Sequence, residues 1–195
     1  MTTVYPESGR VHTAAGAFGG VILSATNASP IVCVVTAGHN LVTGDQVWVY
    51  GATTNTGANG HFTVTVTNST TFSLDGSVGN GVYDASSGHV TMGYDVSGLT
   101  GDYTISIKAE SQTALKGCLV EVQTSVEGFS GVTANDIQCI GTLDIKGAFP
   151  IGGVTKSWRA YELPQSRFGV ASAALRLYVR EIDAGDSVTL TLSLS

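Results

Sequence analysis

A two-residue alternation of apolar and polar side chains is the feature that most constrains the fold of this chain. Residues 188–194 read Val-Thr-Leu-Thr-Leu-Ser-Leu, and residues 62–67 read Phe-Thr-Val-Thr-Val-Thr. Successive side chains of a β-strand point to opposite faces of its sheet, so each segment has one apolar and one polar face. Sheets that bury one face and leave the other in water are typical of antiparallel barrels and sandwiches.

Short segments of this kind recur from residue 21 onward, separated by clusters of turn-forming residues. The composition agrees, because 25 glycines and 24 threonines favour turns and strands over helices, and only 12% of the residues are charged. We therefore predict an all-β protein. The predicted strands are Val21–Ala25, Ile31–Thr36, Gln46–Tyr50, His61–Thr67, Thr71–Leu74, His89–Met92, Tyr103–Ala109, Cys118–Thr124, Ile137–Ile145, Thr155–Tyr161, Leu175–Arg180 and Val188–Leu194.

The predicted strands fall into two groups, separated near residues 93–98. The strands of residues 21–92 are short and closely spaced, which predicts a small β-barrel module. Those of residues 93–195 predict a jelly-roll-like antiparallel β-sandwich. Residues 1–20 contain few large apolar side chains and predict an extended N-terminal arm.

Charge is distributed unevenly along the chain. The net charge is −6, and no lysine or arginine lies between Arg10 and Lys108. Nucleic acids and anionic membranes are bound by cationic surfaces, so we expect neither as a partner. Residues 146–195 hold six of the nine basic residues and four acidic ones. An acidic body with a basic end suits docking between copies or onto a partner, although ordinary surface scatter explains it equally well.

The three cysteines, Cys33, Cys118 and Cys139, lack the spacing of a disulfide framework or a zinc site. Each lies in an apolar run, so we predict buried free thiols. The N-terminus does not read as a secretory signal, and no apolar run is long enough to cross a membrane. We therefore expect a chain that folds in a reducing cytoplasm.

The histidines do not predict catalytic or metal chemistry. Cys33 and His39 would act as a nucleophile pair only in direct contact, and we interpret His39 as a turn-stabilising residue beside a core thiol. The spacing of His12, His39, His61 and His89 matches no metal-ligand pattern, which predicts surface or turn histidines.

Loop residues are interpreted in the same way. The glycine-rich segment 76–81 lacks the lysine and the following helix of a phosphate-binding loop, which predicts a hairpin loop. Asp75 and segment 183–186 could offer oxygen atoms to Ca²⁺, but they lack the spacing of an EF-hand and are read as turn residues. We therefore expect a protein that is not an enzyme and that binds neither a metal ion nor a cofactor.

Four residues of the basic end are candidate partner contacts. Trp158, Arg159, Tyr161 and Arg167 lie close together in the sequence, and Trp, Tyr and Arg are enriched at the anchors of protein interfaces. They would contact a neighbouring protein or a glycan. The alternative is that Trp158 and Tyr161 pack inside the sandwich while both arginines are solvated.

Turns and strands recur in a distinctive order in residues 31–83. The segments are Ile-Val-Cys at 31–33, His-Asn-Leu-Val-Thr-Gly-Asp-Gln-Val at 39–47, Asn-Gly-His-Phe-Thr-Val at 59–64, Thr-Phe-Ser-Leu at 71–74 and Gly-Ser-Val-Gly-Asn-Gly-Val-Tyr at 76–83. This order resembles the small β-module of many tailed-bacteriophage structural proteins, often described as similar to the first catalytic cysteine half-domain of ubiquitin-activating enzymes. Asn40 replaces the usual glycine, and Cys33 replaces an aliphatic residue.

The resemblance implies a structural protein of a phage particle. Residues 93–195 look like the sandwich domains of head-decoration and tail proteins. Together the two parts imply a capsid decoration, or cement, protein on the virion surface, bound to the major capsid protein lattice and to copies of itself as a homotrimer. A tail or adaptor protein is the alternative, as is a carbohydrate-binding module that uses Trp48, Tyr50, Trp158 or Tyr161.

Overall fold

The computed structural model describes residues 3–4, 10–12, 18–95, 103–111, 118–125, 137–144, 155–163, 174–183 and 185–194. These residues form fifteen β-strands and one 3₁₀ turn, Thr56–Ala58, and they contain no α-helix. The prediction of an all-β fold is confirmed. In the same residues, no helix has the length and apolar character needed to cross a membrane.

Six strands close into an antiparallel barrel, in the order β3-β4-β7-β6-β5-β8. The ring closes because β3 pairs with both β4 and β8, so that the barrel has no free sheet edge. The predicted β-barrel module is thus present. Its strands are β3 (Gly19–Ala25), β4 (Ile31–Val35), β5 (Gln46–Tyr50), β6 (Gly60–Asn68), β7 (Thr71–Leu74) and β8 (Gly88–Met92).

The alternation seen in the sequence decides which side chains fill the barrel. Val64 is fully buried, whereas Thr63 and Thr65 on the same strand are exposed. On β5, Val47 and Val49 point into the core and are fully buried. Aliphatic side chains, the Cys33 thiol and aromatic rings fill the interior. Its fully buried members include Ile22, Ile31, Cys33, Val47, Val49, Val64, Phe72 and Leu74.

The remaining strands form two antiparallel sheets. One has the order β1-β15-β10-β13, with β2 also paired to β15, and the other has the order β12-β11-β14-β9. The strands are β1 (Thr3–Val4), β2 (Arg10–His12), β9 (Tyr94–Asp95), β10 (Tyr103–Ser111), β11 (Cys118–Ser125), β12 (Ile137–Asp144), β13 (Thr155–Leu163), β14 (Ala174–Ile182) and β15 (Val188–Leu194).

The pairing is that of a jelly roll. Strands β1 and β2 together occupy the first strand position, and both pair with β15. Going inward from the two ends, β9 pairs with β14, β10 with β13, and β11 with β12. This nested pairing describes one long antiparallel ribbon. Pairing of β10 with β15 and of β11 with β14 rolls the ribbon into two sheets. The predicted jelly-roll-like sandwich is confirmed.

The barrel is inserted into this sandwich between its first strand position and β9. Residues 3–4 and 10–12 of the predicted arm are extended, and they pair with β15 of their own chain. The first and last residues of the barrel lie side by side, because the Met92 amide donates a hydrogen bond to the Phe18 carbonyl at 2.7 Å. The barrel can therefore be inserted into a single connection of the sandwich.

One buried cation joins the barrel to the sandwich. Arg176 on β14 is only 9% exposed, and burial lowers its pKa. Its Nη1 donates to Thr91 Oγ1 on β8 and its Nε to Gln123 Oε1 on β11, both at 2.9 Å. The guanidinium also lies 5.2 Å from the ring centre of Tyr178. Hydrogen bonds of a charged group contribute about 1.5–3 kcal/mol, so this bridge helps to orient the barrel on the sandwich.

We expect the barrel to fold alone, because its hydrogen-bonded ring closes within residues 18–93 and these residues supply many of the buried apolar side chains. An isolated fragment of these residues should unfold cooperatively and give a dispersed amide NMR spectrum. Phe72→Ala in the fragment should cost about 3–5 kcal/mol, since it empties the centre of the core. A fragment with the spectrum of a disordered chain would contradict the expectation.

Candidate docking surface

The predicted contact residues do not form one cluster in the described structure. Trp158, Arg159 and Tyr161 lie on β13, and Arg167 lies outside the described residues. Strand β13 ends the order of its sheet, so it is an edge among the described strands. Neighbouring strand positions alternate between faces, which puts positions 159 and 161 on one face of the sheet and 158 on the other. Their role in binding stays a prediction.

A second surface lies at the end of the barrel opposite the point where the chain enters and leaves. The strand directions place three connections there, residues 26–30, 51–59 and 75–87. We call segment 75–87 the cap loop. It carries Val78 and Val82, which are 64% and 82% exposed and are the most exposed large apolar side chains of the described residues.

The cap loop joins strands that are not neighbours. Strand β7 pairs with β4 and β6, whereas β8 pairs with β3 and β5. The prediction of a hairpin loop at residues 76–81 is therefore wrong. The loop crosses the end of the barrel, where its backbone groups need partners from the other connections.

Ser77 fastens the first half of the cap loop. Its buried hydroxyl donates to the Leu74 carbonyl at 2.6 Å and accepts from the Ile31 amide at 2.9 Å. Two residues further on, the Gly79 amide donates to the Ala28 carbonyl at 2.8 Å. These bonds tie the cap loop to the β3–β4 connection.

Asn55, which is fully buried, joins all three connections. Its Oδ1 accepts from the Asn80 amide and its Nδ2 donates to the Thr26 carbonyl, both at 3.0 Å. Asn80 continues the network, because its Oδ1 accepts from the Gly57 amide at 3.0 Å and its Nδ2 donates to Thr56 Oγ1 at 2.8 Å. The second half of the cap loop is thus held from both sides.

Close backbone packing adds to these hydrogen bonds. A Cβ atom at Gly57 would lie 2.1 Å from the carbonyl oxygen of Val78, and one at Gly79 would lie 2.5 Å from Asn27 Oδ1. Glycine is required at both positions because any side chain would push the segments apart. Val78 and Val82 are therefore exposed on a backbone that is fixed by its neighbours.

The border of the cap loop is anionic. Asp75, the first residue of the cap loop, and Asp84, in its last third, are both exposed. Asp75 accepts hydrogen bonds from the hydroxyls of Thr65 and Ser73 at 3.0 and 3.2 Å, and Asp84 accepts one from Thr53 at 3.1 Å. The barrel sequence contains no lysine or arginine to offset these charges. Along the cap loop, the two exposed valines therefore lie between two exposed aspartates.

The sequence did not single out Val78 and Val82, nor Asn55 and Ser77 beneath them. Segment 76–83 contributed to the family resemblance, but nothing in its sequence marks the two valines as a contact surface. The sequence feature that could have indicated this surface is an apolar residue next to negative charge in a turn-rich segment. Such a feature is a weak indication, because isolated exposed apolar residues are common.

Cys33 and His39 have structural roles. Burial raises the pKa of Cys33 to about 12, so the thiolate is suppressed. His39 is buried, which lowers its pKa, and it donates from Nε2 to the Asn68 carbonyl and accepts at Nδ1 from the Leu41 amide, both at 2.9 Å. Both ring nitrogens are thus engaged with the backbone. His39 is the turn-stabilising residue that we predicted, although it is buried rather than at the surface.

The barrel aromatic residues named as possible sugar platforms already contact other rings. Trp48 lies 4.8 Å from His61 and Tyr50 lies 5.4 Å from His89, measured between ring centres, and the second pair is stacked within 16°. Their side chains are partly buried on the outer face of the barrel. In the part of the chain that the structure describes, no group of three His, Cys, Asp or Glu could hold a metal ion.

The comparisons with known proteins leave the family open. No family model matches the chain, and no curated protein matches it. Among solved structures, the K2 cleaved adhesin domain of Lys-gingipain (Kgp) is similar with a TM-score of 0.37 and 14% sequence identity. The match covers 54% of this chain and 62% of that chain, so less than two thirds of the adhesin domain is spanned. A likeness of this size does not assign a function.

We expect Asn55→Ala to loosen the cap loop, because it removes a partner from the Asn80 amide and from the Thr26 carbonyl. The loss should be about 1–3 kcal/mol. Hydrogen exchange at the Asn80 amide should accelerate. Asn59→Ala is the matched control, since the Asn59 side chain bonds to the Ala52 backbone in the same connection and its loss should leave Asn80 protected. Equal exchange at Asn80 in both variants would contradict the role of Asn55.

The cysteines differ in exposure, which corrects the prediction of three buried thiols. Cys33 and Cys118 are buried, but Cys139 is exposed on β12, an edge strand among those described. Native protein treated with iodoacetamide at pH 8 should therefore be alkylated first at Cys139, as read by peptide mass spectrometry. Unfolding in guanidinium should make all three react. Early alkylation of Cys33 in native protein would show that the barrel opens readily.

Proposed function

We propose that this chain is a structural protein of a tailed-bacteriophage particle, and specifically a capsid decoration protein. It would bind the major capsid protein lattice, stabilise the head, and lie on the virion surface after synthesis in the host cytoplasm. The observation that carries the proposal is the insertion of a closed barrel into a jelly roll, with the two joined by buried Arg176. Such a block acts through its shape, by presenting fixed surfaces to neighbouring subunits.

The chemistry of the described residues supports this proposal. The thiol of Cys33 is suppressed by burial, and the ring nitrogens of His39 are held by backbone groups. The buried side chains of Asn55 and Ser77 likewise bond to backbone groups and fix loops. The resemblance of residues 21–92 to a module of phage structural proteins supports the same class.

Self-association is part of the proposal, with a homotrimer as the expected form. Strands β12 and β13 each end a sheet order, and they follow one another in the chain. Edge strands carry unpaired backbone groups that can pair with another chain. Trp158 and Arg159 of β13 would then lie at the contact between copies.

The test is the composition of purified particles of the phage whose genome encodes this chain. Quantitative mass spectrometry should detect the chain in a constant ratio to the major capsid protein, and a cryo-electron microscopy map should place it on the outer face of the head. Heads that lack the gene product should release DNA at a lower temperature. Location on the tail would support only the broader class of virion protein. Absence of the chain from washed particles would overturn the proposal.

A further inference from the structure

We propose that the cap loop is the part of the barrel that docks, and that its partner is a protein surface with an apolar pocket bordered by lysine or arginine. The inference rests on the proposed function, because it places that pocket on the capsid shell. The cap loop would make this contact, and the pocket would recognise its exposed valines and its negative charge.

Exposure and rigidity together point to docking. Val78 and Val82 are 64% and 82% exposed, although valine side chains gain free energy from burial. The backbone beneath them is fixed by Asn55, Ser77 and the close approach of Gly57 and Gly79. A loop already held in its binding conformation loses little conformational entropy on association, which favours affinity.

The charge of the cap loop identifies the kind of partner. The segment carries Asp75 and Asp84 and no lysine or arginine, so a surface of complementary charge is basic. The same charges exclude nucleic acid and anionic membrane, which would be repelled. Aliphatic side chains do not provide the aromatic stacking that sugar binding uses. The remaining class is a protein that offers a pocket for valine between cationic side chains.

The same charges argue against contact between two cap loops. A symmetric contact would place Asp75 and Asp84 of one copy against those of the other, and like charges across an interface are unfavourable. Contact between the cap loops of two copies is the alternative explanation that the experiment must distinguish. It would appear as an association of the purified chain that depends on Val78 and Val82.

The test is binding of the purified full chain to heads of the same phage that lack it, measured by co-sedimentation over a range of protein concentrations. The double variant Val78→Ser, Val82→Ser should weaken binding about tenfold or more, because it removes both apolar anchors. The matched control is Leu23→Ser, Val42→Ser, which changes two other apolar side chains that are 46% and 51% exposed and should leave binding unchanged. Circular dichroism should confirm that both variants are folded.

A second series tests the charge. Asp84→Asn keeps an oxygen for the Thr53 hydroxyl, and Asp75→Asn keeps one of the two oxygens that accept from Thr65 and Ser73. Both substitutions remove the negative charge. Both should weaken binding and make it less sensitive to salt between 50 and about 300 mM, since screening acts on exposed charges. Asp95→Asn, at an exposed position outside the cap loop, is the control.

The outcomes separate the two proposals. If the wild-type chain does not bind the heads, the capsid function fails. If the wild-type chain binds and the valine double variant binds equally well, the capsid function stands and the cap-loop inference is overturned. If light scattering shows self-association that the double variant abolishes, the cap loop contacts a second copy, which also overturns the inference.

Discussion

The pairing of β3 with β8 is the contact on which the organisation of this molecule depends. It closes the barrel, and it brings the two points where the chain enters and leaves to adjacent positions, Gly19 opposite Thr91. Gly19 is needed there, because its φ is +135° and a Cβ atom would lie 2.2 Å from the Val90 carbonyl oxygen. Once the ends meet, the barrel occupies a single connection of the jelly roll without disturbing the order of its strands.

Closure also decides which end of the barrel faces outward. Because the strands alternate in direction, the chain ends lie at one end of the barrel and the connections 26–30, 51–59 and 75–87 at the other. These connections are rich in small polar residues and have few regular backbone pairs. Asn55, Ser77 and Asn80 supply the missing partners, and the result is a fixed loop that holds two valines in water. The docking proposal depends on this arrangement.

Local sequence patterns predicted the strand bounds closely, but they did not predict pairings and contacts between residues far apart in the sequence. Gln46–Tyr50, Thr71–Leu74 and Val188–Leu194 were predicted with the bounds that the structure has. The extended form of the N-terminal segment was expected, but its pairing with β15 was not, since the two are separated by almost the whole chain. Arg176 belongs to the basic end of the sequence, yet it is 9% exposed and bridges barrel and sandwich.

The candidate surface was less accessible to sequence reasoning than the fold. The glycines of segment 76–81 identify it as a loop, but the hairpin predicted there is wrong. Only the strand order shows that β7 and β8 are not neighbours. The residues that fix the loop, Asn55 and Ser77, are unremarkable in the sequence because their partners lie 25 and 46 residues away.

The amino-acid sequence alone determined the all-β class, the position of most strands and the face of each strand that is buried. These properties follow from local preference and from a two-residue period, which neighbouring residues establish among themselves. Only the tertiary structure decided the insertion of the barrel, the burial of Arg176 and the exposure of Val78 and Val82. Such features depend on which distant backbone groups pair with one another, and that choice is made by the closure of sheets, where every buried N–H and C=O must find a partner.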